Sequence, residues 1–145
     1  MRNYMNQNFL MAPDAVHDFL AKTRKFLEND EDWYVNTTEW AGKINKTRSF
    51  IAETGITRND IKQVILELSV KNYCYTSEDK NNNFPNEQFS IFGITKNLID
   101  EDIDLYIKLK IRKIQDEYLL IMSFHPEQPG RPEDKLQFPY KEYRL

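Results

Sequence analysis

The stretch Leu105 to Arg112 constrains this chain more than any other. Leu105, Ile107, Leu109 and Ile111 fall on one parity, and Tyr106, Lys108, Lys110 and Arg112 fall on the other. Two is the side-chain period of a β-strand, so this alternation predicts a strand with one buried and one polar face. A short polar turn at Gln115, Asp116 and Glu117 follows, and Tyr118 to Phe124 returns as a second strand that ends in His125. An antiparallel hairpin brings the end of the return strand beside the start of the first, so His125 is expected near Tyr106 and Lys108. A tyrosine, a lysine and a histidine on one surface are suited to handling a phosphodiester. The plainer roles are also available: lysines on an amphipathic strand ordinarily keep a sheet edge soluble.

Elsewhere the period is helical. Pro13 and Asp14 suit a first helical turn, and Val16, Phe19, Leu20, Thr23, Phe26 and Leu27 recur at steps of three and four. They predict a helix over 14–28, with His17 on its polar side. A second helix is expected over 38–53 with Gly55 as its stop. A third, capped by the Thr57-x-x-Asp60 pattern, is expected over 58–70. Residues 71–77 read as an extended segment, 78–87 as a polar loop, 88–95 as a strand, and the acidic run 100–104 as a solvated connection. Residues 1–11 carry no pattern and read as a flexible tail, and 12–125 read as the core. The proline-rich segment 126–145 is expected to be held by Phe138 and Tyr140. Together these features predict a single domain over 1–145 of the α+β class. N-terminal helices would pack on a small antiparallel sheet of three to four strands.

Composition narrows the function. A net charge of −3 argues against coating nucleic acid by bulk electrostatics. The cations are nevertheless concentrated between Lys108 and Lys113, where RNA or an acidic protein could dock. No apolar run has the length of a membrane span, and the first residues lack the apolar core of a secretory signal. With one cysteine, Cys74, no intrachain disulfide can form, and a cytoplasmic protein without a membrane partner is expected. Two histidines and one cysteine, far apart, give no zinc-ligand spacing. We therefore expect no metal and no cofactor. Cys74 reads as a small core residue.

Three segments carry a family resemblance. Val64 to Ser77, with its Leu-Ser-Val-Lys-Asn-Tyr-Cys-Tyr-Thr-Ser run, looks like a helix leading into a first strand. Gln88-Phe-Ser-Ile-Phe92 takes the place of a second strand. A Tyr-x-Lys strand, Leu105 to Ile111, is joined to one that ends Ser-Phe-His, Leu120 to His125. In this order they resemble the MqsR family of toxin ribonucleases, relatives of the RelE-type mRNA interferases. The resemblance spans residues 56–126, about half of the chain. It implies a RelE-like ribonuclease fold, metal-free cleavage of mRNA, free or on the ribosome, and a cognate antitoxin in a type II toxin–antitoxin pair. Tyr106 falls on the family's catalytic tyrosine. His125 falls where the family can carry a lysine after Ser-Phe, and Tyr75 where it can carry a lysine on the first strand. Phe89 aligns with the family's second-strand glutamine, with Gln88 adjacent.

Metal-free RNA cleavage needs a base for the ribose 2′-OH, a cation beside the phosphorane-like transition state, and an acid for the departing 5′-oxygen. His125 suits the acid–base role because its ordinary pKa is near neutrality. Lys108 or Lys110 suits the cationic role and Tyr106 a donating or stacking role, and His125, Tyr106 and Lys108 are the candidate catalytic residues. Tyr75, Lys110, Arg112 and Gln88 are the candidate substrate-binding residues. One rival reading is a non-catalytic α+β binding module that docks an acidic partner through the basic face of the hairpin, and a second is a different hydrolase that uses the acidic run with a divalent ion.

Overall fold

The computed structural model describes residues 8–79, 87–114, 116–128 and 135–144. In chain order its elements are β1 (Asn8–Phe9), α1 (Pro13–Leu27), β2 (Trp33–Val35), α2 (Lys46–Thr54), α3 (Arg58–Leu66), β3 (Tyr73–Glu78), β4 (Gln88–Leu98), β5 (Glu101–Ile114) and β6 (Asp116–Pro126). Single 3-10 turns, Asp30–Asp32 and Val70–Asn72, lead into β2 and β3. All six strands form one sheet in the order β1-β3-β4-β5-β6-β2. Its neighbours are antiparallel except β2, which runs parallel to β6.

Local chemistry sets the helix ends. Asn45 caps α2 by accepting the Arg48 N–H, and Gly55 closes it at φ 73°, a left-handed conformation that glycine adopts without a Cβ penalty. Thr57 and Asp60 cap α3 reciprocally, each side chain accepting the other's backbone N–H. The helices lie on one face of the sheet. On that face a row of cross-strand partners, Tyr73, Phe92, Ile107 and Phe124, is fully buried. Leu20, Leu27, Ile61, Val64 and Ile65 from the helices and Trp33 from β2 close the core over it. Burying each of the larger side chains contributes about 1.5–3 kcal/mol, so this layer dominates the stability.

The α+β class holds, but the sheet is six-stranded and mixed rather than a small antiparallel one of three or four strands. Its three helices precede β3 but are interleaved with β1 and β2 rather than forming an N-terminal block. The two extra strands are two and three residues long, too short to show an alternation. Asn8–Phe9 pairs with Ser77 and Thr76, so this part of the expected tail is edge strand. The second helix begins at Lys46 rather than 38, because Asn45 holds residues 36–45 in a loop by donating to the Asn36 and Thr38 carbonyls. The third stops at Leu66, short of 70. Much of the acidic run belongs to β5: Leu98 pairs with Glu101 and Thr95 with Asp104. The turn between them is Ile99–Asp100, both left-handed at φ 54° and 61°. Two such residues match the twist of a two-residue hairpin turn. Of the expected loop 78–87, Glu78 ends β3, and 80–86 lies outside the described residues.

Of the expected proline-rich segment 126–145, Pro126 ends β6, 129–134 and 145 lie outside the described residues, and 135–144 lie along the body without regular structure, as Pro139 and the aromatics led us to expect. Leu136 and Phe138 press on Gly93 of β4. Tyr140 stacks on Tyr73 at 6.0 Å and donates its hydroxyl to the Met11 carbonyl. No described helix is long and apolar enough to cross a membrane.

Candidate functional site

The second face of the sheet carries the candidate residues. Two rows cross it: Tyr75, Ile91, Lys108 and Ser123, and beside them Gly93, Tyr106 and His125. His125 reaches this face through a bulge. Lys108 pairs with Ser123 and Leu109 with Ile121, which leaves Met122 without an opposite residue. Leu119 and Ile121 are buried in the core. Unbroken alternation would send Ser123 and His125 the same way and turn Phe124 outward. The extra residue reverses this, so Phe124 enters the core and His125 turns to the second face. A helix supports the irregularity: the Thr47 hydroxyl of α2 accepts the Phe124 N–H at 2.8 Å. A second bulge, at Cys74, lies between the Tyr73–Phe92 and Tyr75–Ile91 pairs.

The Tyr106 and His125 rings are cross-strand partners, stacked at 5.2 Å and 17°. The His125 Nδ1 lies 2.9 Å from the Pro126 carbonyl oxygen, which can only accept. In the neutral ring Nδ1 therefore carries the proton, and Nε2 keeps its lone pair. Burial lowers the His125 pKa, outweighing the Pro126 bond, and the charge of Lys46 lowers it further. The side chain is thus a neutral base at neutral pH. The Tyr75 and Tyr106 hydroxyls share a hydrogen bond, and burial raises both pKa values, so both phenols stay protonated. They can donate hydrogen bonds or present ring faces, but neither is a phenolate. The Cys74 thiol is pushed up to about 12 by burial and by Glu127, so it is an inert core thiol as expected.

Lys108 is half-buried with its Nζ 4.0 Å over the Phe89 ring. Burial lowers its pKa, Asp79 opposes this, and Lys110 adds to it. Tyr106 thus touches both His125 and Tyr75, and Lys108 shares their sheet face, with its ammonium over Phe89. The other three binding candidates do not join them as free groups. Lys110 is fully buried rather than lining an exposed polar face, and it is ion-paired with Asp79 and, at 2.7 Å, with Glu87. Arg112 is half-buried and reaches Glu87 at 3.4 Å. Asp79 and Glu87 also close the β3–β4 hairpin, since the Asp79 N–H donates to the Glu87 carbonyl. Two cations and two carboxylates thus neutralise one another inside the protein. Gln88 has the parity of Ser90 and Phe92, the helix-covered side, and stands exposed at the strand's start. Phe89 takes the second face instead, and only the register of β4 on β5 tells which of the two faces Tyr106.

Among the described residues, no group of three or more histidine, cysteine, aspartate or glutamate side chains is placed to hold a metal ion. No protein-family model, no curated protein and no solved structure matches this chain.

Proposed function

We propose that this protein is a metal-independent endoribonuclease that cleaves mRNA, free or on the ribosome, as the toxin of a type II toxin–antitoxin pair. One observation carries the reading. A neutral histidine is anchored through Nδ1, keeps Nε2 as an acceptor, and stacks on a tyrosine whose hydroxyl meets a second tyrosine. In this mechanism His125 Nε2 removes the ribose 2′-OH proton. The 2′-oxygen attacks phosphorus, the bond to the 5′-oxygen breaks, and a 2′,3′-cyclic phosphate forms. The Lys108 ammonium steadies the negative charge that builds on the phosphoryl oxygens. The 5′-oxygen takes its proton from the His125 imidazolium, directly or relayed through a hydroxyl of the Tyr75–Tyr106 pair that the imidazolium reprotonates in the same step. Tyr106 also offers its ring to a base.

The test is cleavage of a labelled RNA by purified protein, alone and with ribosomes, with EDTA present throughout. His125→Ala should cost about 10²–10⁴ in rate, the range for loss of general acid–base catalysis. Tyr106→Phe and Lys108→Ala should each slow the reaction, and a 2′-deoxy residue at the cut site should block it. Equal cleavage by wild type and His125→Ala, or none by either, refutes the proposal.

The binding-module reading keeps support from a different surface than the basic hairpin. Trp40 and Ile44 are 74% and 77% exposed. They stand on a loop pinned by Asn45 and by the Lys43 N–H to the Trp40 carbonyl. A fixed, exposed tryptophan is a suitable anchor for a protein partner. Trp40→Ala tests it: binding of an acidic protein partner should weaken with the melting temperature unchanged, and neither wild type nor variant should cleave RNA.

A further inference from the structure

We propose that a second site, a cationic cleft between α1, the turn before β3 and the C-terminal segment, binds a nucleotide through its phosphate, either free or as one unit of single-stranded RNA. The cleft has a volume of about 450 Å³. His17, Leu20 and Arg24 line it from α1, on one stripe at steps of three and four. Lys71 enters from the 3-10 turn, and Tyr143 and Arg144 from the C-terminal segment. Among the described residues, none that lines it is acidic.

The contrast with the hairpin cations is chemical. Lys110 and Arg112 have carboxylates against them, whereas Arg24, Lys71 and Arg144 are in no ion pair among the described residues. Three like charges around one cavity, in a chain of net charge −3, leave a local repulsion that a bound anion relieves. The cations are also positioned. The Arg24 guanidinium donates to the Leu68 carbonyl at 2.6 Å, which orients its fork and uses one of its five N–H groups. Tyr143 is held by its N–H to the Tyr140 carbonyl, and Tyr140 is itself fixed on Tyr73 and Met11. The neighbouring Arg144 is therefore carried on an anchored segment.

Volume and wall chemistry define the ligand. The cavity is far larger than an inorganic phosphate and falls in the range of about 300–1,000 Å³ usual for small-molecule sites. Buried Leu20 and half-buried Tyr143 supply an apolar and aromatic wall of the kind on which a base stacks. A charged fork, a lysine and an aromatic face together suit phosphate and base on one ligand. This site shares no residue with the Tyr106–His125 cluster, so the inference stands or falls separately from RNA cleavage.

The experiment titrates the full chain with AMP by calorimetry and with a short fluorescein-labelled single-stranded RNA by anisotropy. The variants are Lys71→Glu/Arg144→Glu, the milder Lys71→Gln, and Lys43→Glu in the loop after β2 as a control. Lys71 and Arg144 are exposed, so the double variant should melt as wild type does. Losing a charge-assisted contact should weaken binding about tenfold. For RNA, the slope of log affinity against log salt should fall by about 0.7 for each phosphate contact removed. Loss of both ligands in the double variant assigns a nucleotide site, and loss of RNA alone assigns a polynucleotide track. If wild type binds neither, or the double variant binds both as wild type does, the proposal is overturned.

Discussion

Phe138 lies against the one position of β4 that has no side chain: a Cβ on Gly93 would stand 2.8 Å from the far end of its ring and 2.9 Å from a Leu136 methyl. Both atoms are the tips of side chains on a segment without regular structure, so the segment yields before the strand does. Gly93→Ala should dislodge residues 135–138 at a cost of about 1 kcal/mol, the low end of overpacking penalties. Faster limited proteolysis near Lys135 with a melting temperature lowered by about 3–4 °C is the expected result.

His125 gives stability a pH dependence of definite sign. Its pKa is lowered in the folded protein from the ordinary 6.5, mainly by burial. Between the two values the unfolded chain binds more protons, so stability is complete above about pH 6.5 and is lost as pH falls through the folded pKa. His125→Gln should flatten that slope in urea titrations run from pH 7.5 to 5. The acid limb of any cleavage profile should likewise lie below the usual histidine value.

The buried Lys110 predicts a structural effect where its position suggests a binding one. Lys110→Met leaves Asp79 and Glu87, each 15% exposed, without their shared cation. Removing one partner of a buried ion pair costs about 3–5 kcal/mol, and Arg112, which stays beside Glu87, holds the loss toward the lower end. Chemical denaturation should show a loss of that order, and RNA affinity per folded molecule should be unchanged.

At the β4–β5 turn, Ile99 holds φ 54° with its side chain 56% exposed. A β-branched residue in the left-handed region is strained, and little burial is lost by replacing it. Ile99→Asn should stabilise the protein by about 1 kcal/mol, since such strain costs about 1–3 kcal/mol. Ile99→Val, which keeps the branching, should give no gain in a melting experiment.

The sequence made the hairpin legible because β5 alternates over its central residues, and it made α1 and α3 legible because their stripes and caps are local. It placed Tyr106, Lys108, Tyr75 and His125 on one surface. It could not show that Lys110 and Arg112 are neutralised, since Asp79 and Glu87 are distant in sequence and meet them only across the sheet. Nor could it show the parity of Gln88 relative to Tyr106, which depends on strand register. The short edge strands β1 and β2 carry no period at all.

The unpaired Met122 makes the spacing of β6 forgiving. Remove it, and Ile121, Ser123, Phe124 and His125 would alternate without a break, each still opposite its present partner and on its present face. A single-codon deletion there would straighten the strand and leave the phenyl ring in hydrocarbon and the imidazole beside the tyrosines. A working descendant of this hairpin can shed that one letter, provided the straightened strand still brings the Phe124 N–H to the Thr47 hydroxyl.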